Sequence, residues 1–273
     1  MAEVETVLLT GASSGIGATT AALLARRGLR VYGTSRRPPE GGRPDRPDAR
    51  GIRWLALDVR DDASVSAALD SFHAHETHLD GLVCNAGVGI FGSVEETTIE
   101  AAQRQFETNY FGVLRMLRAA LPGMRKRGFG RVVLIGSLSG RAPIPFQSHY
   151  SSTKAAVDAL AGALRNEVSA HGIEVTLVEP GDVNTPFNDA TDWSVVESSA
   201  YAERIETCAH TIRELLPKAA SPDVVAHAVL GALRARRPRH RHAVGDDSIG
   251  APFGKRALPD RVFLDIIRRH FGL

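Results

Sequence analysis

Thr10-Gly11-Ala12-Ser13-Ser14-Gly15-Ile16-Gly17 decides how the rest of this 273-residue chain is read. The apolar run Val7-Leu8-Leu9 enters it, and a helical pattern leaves it from about residue 15. A turn this tight between a strand and a helix needs residues without a Cβ, which Gly11, Gly15 and Gly17 supply. Backbone N–H groups then sit at the positive end of the helix, where a diphosphate binds favourably. The spacing is G-x-x-x-G-x-G, not the G-x-G-x-x-G of the usual dinucleotide fingerprint. A tight turn that binds nothing would use the same glycines, so the loop needs support from elsewhere in the chain.

Working outward, short apolar runs alternate with longer amphipathic ones. The runs are Leu29 to Tyr32, Trp54 to Leu57, Leu82-Val83-Cys84, Val132 to Ile135 and Ile173 to Val178. Brief β-rich runs of this kind fit strands buried on both faces, as in a parallel sheet. Helical patterns fall between them at about 15–28, 62–77, 98–127 and 151–171. The alternation predicts an α/β fold: one doubly wound, Rossmann-type domain over 1–273, with a mostly parallel central sheet and helices on both faces. In the helix at 151–171, Val157, Leu160, Leu164 and Val168 form a core stripe. Ala155, Ala159 and Gly162 form a second stripe of small residues, suited to close approach of another helix. Residues 36–51, rich in Pro, Gly, Arg and Asp, read as an exposed loop. Scattered apolar groups over 186–220, Trp193 among them, fit either a helical lid over a pocket or an ordinary surface helix pair. The tail has Phe263, Leu264, Ile266, Ile267 and Phe271 among Arg and Asp, and predicts a helix at about 258–271 docked on the body.

Composition excludes several classes. The formal net charge is +2, too small to make nucleic acid or an anionic membrane the main partner. Cys84 and Cys208 are too few for a disulfide framework and lack metal-ligand spacing, so they read as buried thiols in a reducing compartment. No apolar run approaches the ~20 residues of a membrane span. The acidic start Met1-Ala2-Glu3-Val4-Glu5 is unlike a signal peptide. A cytoplasmic protein is expected.

Cofactor choice is read about 20 residues past the glycine turn, at the end of the second strand. A carboxylate there would accept hydrogen bonds from a ribose diol and favour NAD. Thr34-Ser35-Arg36-Arg37 stands there instead. A guanidinium pairs with a 2′-phosphate in bidentate fashion, and Ser13 can add a hydroxyl, so NADP is expected. Solvated loop charges are the alternative for Arg36 and Arg37. Further on, Tyr150 and Lys154 are four residues apart near the start of a helix and share a face. A free phenol titrates near ~10, and a neighbouring ammonium, together with the positive charge of an oxidised nicotinamide, is expected to lower that value toward use as an acid or base. Lysine is rare in this Arg-rich chain, and a compact rotatable donor at 154 suits ribose hydroxyls. Ser137 ends the fifth strand, at the edge of the ligand crevice of a parallel sheet. Asn109 lies inside the helical run at 98–127.

Together these residues resemble the short-chain dehydrogenase/reductase family over positions 5 to about 185. Thr10 to Gly17 resembles its T-G-x-x-x-G-x-G loop, in which Gly11, Ser13, Ser14, Gly15, Ile16 and Gly17 would hold the dinucleotide. Asp58-Val59 looks like its adenine-contacting pair, and Asn85-Ala86-Gly87 like its N-A-G turn. Asn109, Ser137, Tyr150 and Lys154 resemble its catalytic tetrad. Pro180-Gly181-Asp182-Val183-Asn184-Thr185 looks like its P-G-x-V-x-T segment, with Val183 and Thr185 toward the nicotinamide carboxamide. Arg36-Arg37-Pro38, the stretch Arg241 to Gly245 and the tail Leu258 to Arg261 resemble the hydroxysteroid-dehydrogenase-like branch, although His242 stands where that branch often has Tyr. The basic run Arg234 to His242 then reads as the solvated approach to a last strand.

The resemblance implies reduction of a ketone, or oxidation of the matching alcohol, with NADP. Tyr150 would protonate the oxygen and Ser137 would hold it. Lys154 would orient the ribose and tune Tyr150, and Asn109 would anchor a water in a proton relay. Apolar walls are expected from Leu138 to His149, with Ile144, Pro145 and Phe146, and from 186–216. They imply a bulky hydrophobic substrate such as a polyketide, steroid or lipid-like ketone. Epimerisation or dehydration on the same fold, or cofactor sensing without catalysis, remain the alternatives. A homo-oligomer through the helices near 101–127 and 151–171 is implied as well.

Overall fold

Alternate residues of each apolar run point to opposite sides, which is what a strand buried on both faces requires. In β1 (Thr6–Leu9), Leu8 enters one core while Val7 and Leu9 enter the other. The protein, obtained as a computed structural model, is described over residues 3–187, 191, 199–245 and 248–273. Its strands continue as β2 (Arg30–Ser35), β3 (Ile52–Ala56), β4 (Gly81–Cys84), β5 (Gly130–Ile135), β6 (Ile173–Pro180) and β7 (Arg241–Val244). They form a seven-stranded sheet in the order β3-β2-β1-β4-β5-β6-β7, and every pairing is parallel.

Helices cover both faces. On one side lie α1 (Gly15–Arg26) and α7 (Pro222–Arg234), packed on Val7, Leu9, Val83, Val133 and Val178. On the other lie α2 (Asp62–His73), α4 (Gly112–Arg127) and α5 (Ser148–Val168), packed on Leu8, Leu82, Leu134 and Leu177. The expected stripe of α5 is partly right: Val157, Leu164 and Val168 are buried, and Leu160 packs at the margin. Gly172, in the left-handed region, ends the turn that follows α5. Asp80 ties the lower end of the sheet, accepting from the Glu5 and Thr6 amides at 2.9 and 3.0 Å and pairing with Arg127.

The strand order reverses between β1 and β4, which opens a crevice at the carboxyl ends of the strands. The helical run at 98–127 is interrupted there. It divides into α3 (Ile99–Phe106), a π turn at Glu107–Phe111 and α4. Over the crevice lie α6 (Ala202–Leu215), α8 (Gly250–Ala257) and α9 (Asp260–His270). Trp193 and most of 188–198 lie outside the described residues. Cys84 and Cys208 are buried free thiols, as expected. Among the described residues no helix is long and apolar enough to cross a membrane.

Arg241 departs from its expected place. Within the basic approach to β7 it is a structural cation, paired with Asp158 of α5 and with Glu179 of β6, the latter at 3.2 Å. Arg141 donates to the same Glu179 at 2.9 Å. Glu179 is buried, and that burial pushes its carboxyl up while the two guanidiniums oppose the shift. The cluster joins the loop after β5 to α5 and β6, immediately before Pro180-Gly181.

Candidate active site

The glycine turn is held against the end of β4 by hydrogen bonds. Thr10 Oγ1 accepts from the Asn85 and Ala86 amides at 3.0 and 3.1 Å. Asn85 Nδ2 donates back to the Thr10 and Gly11 carbonyls, both at 3.0 Å. Position 17 must be glycine, because a Cβ there would lie 2.0 Å from the Gly11 carbonyl oxygen and 2.6 Å from Asn85 Nδ2. Gly11 and Gly15 are both left-handed, with φ of +69° and +51°. Ser14 caps α1 without a side-chain hydrogen bond, so the first N–H groups of a twelve-residue helix open onto the crevice.

That crevice is a cavity of about 970 Å³ running from the glycine turn past the ends of β2, β4, β5 and β6. Gly11, Ser13, Ser14, Gly15, Ile16 and Gly17 line one end. Arg36, Asp58 and Val59 flank it, followed by Asn85-Ala86-Gly87. Ser137, Tyr150 and Lys154 stand on the middle of the wall, with Pro180, Gly181, Val183 and Thr185 beside them. Two expected residues are elsewhere. Arg37 is an exposed loop residue outside the cavity, its amide bonded to Ser35 Oγ at 3.3 Å. Asn109 is buried behind the wall in the π turn. Its amide grips the Val88 backbone, accepting from the N–H and donating to the C=O, both at 2.9 Å, and donates to Thr153 Oγ1 at 3.1 Å. A π turn within an α-helix commonly marks a functional position, and here it turns Asn109 toward β4 and α5.

The expected lowering draws on Lys154 together with a nicotinamide charge, whereas in the protein alone the phenol of Tyr150 shifts upward. Burial pushes its phenol up to about 12; a hydrogen bond with Ser137 opposes that and the nearby Asp182 carboxylate adds to it. Lys154 does not reverse the balance. Its ammonium lies 5.5 Å from the centre of the Tyr150 ring and donates to the Ile135 carbonyl at 2.9 Å. Burial also pulls Lys154 down to about 8. Ser137 Oγ accepts from the Ser139 amide at 3.1 Å, which fixes the hydroxyl at the end of β5.

The turn and its neighbours fit a dinucleotide. Uncapped helix N–H groups suit phosphates, and Arg36 at the end of β2 suits a further phosphate. The substrate half of the cavity is apolar but is built differently from expectation. Ile144, Phe187, Ile212 and Leu216 line it. Phe146 instead packs with Phe91 and Tyr201 in a satellite core, and Pro145 accepts a long hydrogen bond from Cys208. The remaining wall comes from the tail, through Phe263, Ile266, Ile267 and Phe271. Their four-residue spacing was visible in the sequence; that they face a pocket was not.

Residues 5–194 match the family described as short chain dehydrogenase. The chain is 36% identical over 241 residues to the 3-ketodihydrosphingosine reductase of Bacteroides thetaiotaomicron, covering 88% of this chain and 87% of the relative. It is 35% identical over 251 residues to the human 17-beta-hydroxysteroid dehydrogenase type 1, covering 86% and 76%. A solved short-chain dehydrogenase from Streptomyces avermitilis superposes with a TM-score of 0.80 at 32% identity, covering 100% of this chain and 96% of that one.

Buried cationic lysine opposes folding at neutral pH. A Lys154 value near 8, against 10.5 in the open chain, means that folding expels a proton between those values, so stability rises with pH across that window. Lys154→Met is expected to raise the unfolding free energy of the protein without cofactor by on the order of 2 kcal/mol at pH 7. Urea denaturation at pH 7 and pH 10 checks this. The gain shrinks at the higher pH, and no gain at pH 7 contradicts the reading.

Proposed function

The chain belongs to the short-chain dehydrogenase family, and from that premise we propose that it is an NADP-dependent reductase of bulky hydrophobic ketones, acting in the cytosol. One observation carries the reading: Ser137, Tyr150 and Lys154 stand together on the wall of a cavity that joins the glycine turn to an apolar end. A bound nicotinamide dinucleotide supplies hydride transfer to or from carbon. The residues of the chain do the rest. Backbone N–H groups of Ser13 to Gly17 hold the diphosphate, Asp58 and Val59 flank the adenine, and Asn85, Ala86 and Gly87 close the same end. Pro180, Gly181, Val183 and Thr185 orient the nicotinamide end. Ser137 donates to the substrate oxygen, and Tyr150 passes its phenolic proton to that oxygen as it gains charge. Lys154 presents its ammonium below the ring and to the ribose hydroxyls. Asn109 holds the Val88 turn and the α5 entrance in place, a positioning role distinct from the water-anchoring one expected from sequence.

Substrate size is argued from the walls. Ile144, Ile212, Leu216, Ile267 and Phe271 exclude water and favour an extended apolar skeleton. The two relatives, by their names, act on a long-chain sphingoid ketone and on a hydroxysteroid. Together α6 and the tail act as the substrate cover. Two copies pair through α4 and α5, where Phe111, Ala155 and Ala159 are exposed.

NADPH consumption against a panel of steroid, polyketide and long-chain ketones tests the activity. Turnover confined to small charged sugars overturns it. Tyr150→Phe is expected to lower kcat by about 10²–10⁴-fold, with the dissociation constant for NADPH, read by fluorescence titration, little changed. Undiminished turnover would remove Tyr150 from proton transfer. Arg36→Asp is expected to raise the KM for NADPH by about tenfold or more and to reverse the preference toward NADH. A wild-type preference for NADH contradicts the cofactor assignment. Light scattering is expected to give a dimer or larger assembly, and a monomer at micromolar concentration refutes the pairing.

A further inference from the structure

The tail turns an apolar side to the pocket, and its outer side mixes exposed apolar groups with charge. Phe263, Ile267 and Phe271 of α9 turn inward, and Gly254 of α8 lets that helix sit on the Phe263 ring, where a Cβ would come within 3.2 Å. Outside, Phe253 is 69% exposed, Leu264 47% and Val262 45%. Charge is concentrated on the same segment. Gly250 to Leu273 carries Lys255, Arg256, Arg261, Arg268 and Arg269 against Asp260 and Asp265. Both acids are engaged locally, Asp260 with Lys255 at 2.7 Å and Asp265 with Arg268 at 3.5 Å. Arg256, Arg261 and Arg269 are exposed and make no ion pair among the described residues. The chain-wide charge of +2 conceals this asymmetry: the segment carries a net three positive charges and the remainder is slightly negative.

We propose that the outer face of α8 and α9 docks on an anionic phospholipid surface, with Arg256, Arg261 and Arg269 toward the headgroups and Phe253 and Leu264 at the margin of the contact. Exposed apolar side chains interleaved with unpaired arginines match such a surface in both polarity and sign. A continuous edge links this face to the pocket. Ile266 is half exposed and His270 is exposed, yet both line the cavity, so its mouth opens beside the docking face. An apolar ligand leaving a bilayer would therefore meet that mouth without crossing water. Docking does not depend on the proposed reduction: its readout is binding, and either can fail while the other stands.

The test is co-sedimentation of the full chain with large vesicles of phosphatidylcholine alone or with a third phosphatidylglycerol. Binding to the anionic vesicles at low salt, weakened by high salt and at least about tenfold poorer on neutral vesicles, is expected. The triple variant Arg256→Gln/Arg261→Gln/Arg269→Gln is expected to lose at least about tenfold in vesicle partitioning, and Phe253→Ser/Leu264→Ser a comparable factor. Both should keep the wild-type circular dichroism and thermal midpoint. Equal binding to neutral and anionic vesicles, or none to either, overturns the proposal. So does wild-type partitioning by both folded variants. If Phe253→Ser/Leu264→Ser instead reduces the oligomer seen by light scattering, the face belongs to a second copy of the chain and the proposal fails.

Discussion

Everything at the carboxyl edge of the sheet depends on how closely the turn after β1 approaches the end of β4. The approach leaves no room for a side chain at position 17 and consumes the whole polar capacity of the Asn85 amide group's donor end. Thr10 completes the tie from the other side. Two strands that are adjacent in space but 70 or more residues apart in sequence are thereby locked at the point where the sheet reverses its order. Phosphate-binding N–H groups and the wall carrying Ser137 and Tyr150 then stand at a fixed separation. Without that lock the two halves of the crevice would be positioned only by side-chain packing, which tolerates larger shifts.

Electrostatics in the middle of the crevice works against the fold. Tyr150 is held neutral well beyond neutral pH, and Lys154 is buried with a single carbonyl partner. Proton donation by a neutral phenol needs no prior deprotonation, so a high value suits an acid in the reducing direction. The Glu179 cluster supports the same region by different means. Two guanidiniums share one buried carboxylate, and removing either leaves charge that the interior cannot solvate. Loop, helix and strand are therefore fixed relative to one another one turn away from Lys154 and one residue before Pro180.

The alternation of strands and helices was legible because a parallel sheet buried on both faces leaves continuous apolar runs, while its helices show one stripe. Strand ends placed Ser137 and the Asn85 turn correctly, since residues at the carboxyl ends of such strands face the crevice. The surroundings of Asn109 were not legible because helical periodicity does not register a π turn, which changes the direction of a side chain without changing the pattern. Arg36 and Arg37 are equivalent by composition; Arg36 lines the cavity, while the backbone of Arg37 is bonded back to Ser35. Arg241 looked solvated because its partners, Asp158 and Glu179, are distant in sequence. Expecting a lowered phenol weighed the charges of Lys154 and of a nicotinamide and left out burial, which in the protein alone is the larger effect.

The tail shows where a chain-wide average misleads. A net charge near zero argued against an anionic surface as a main partner, and for a uniformly mixed surface that inference is sound. Charge acts over about a Debye length, on the order of 8 Å in physiological salt, so the relevant sum is local. Three arginines that make no ion pair among the described residues, on one pair of short helices, are felt by a nearby surface irrespective of what the opposite side carries. Apolar periodicity is similarly ambiguous, because a four-residue repeat identifies a buried face without saying what buries it. In α9 one repeat meets the cavity and the adjoining residues meet solvent. A helix that must be apolar enough to wall a hydrophobic pocket, and must also stand at the mouth of that pocket, has part of each face exposed by geometry. The arginines between the exposed apolar groups are what distinguish a surface made for contact with anionic lipid from one that is merely left over.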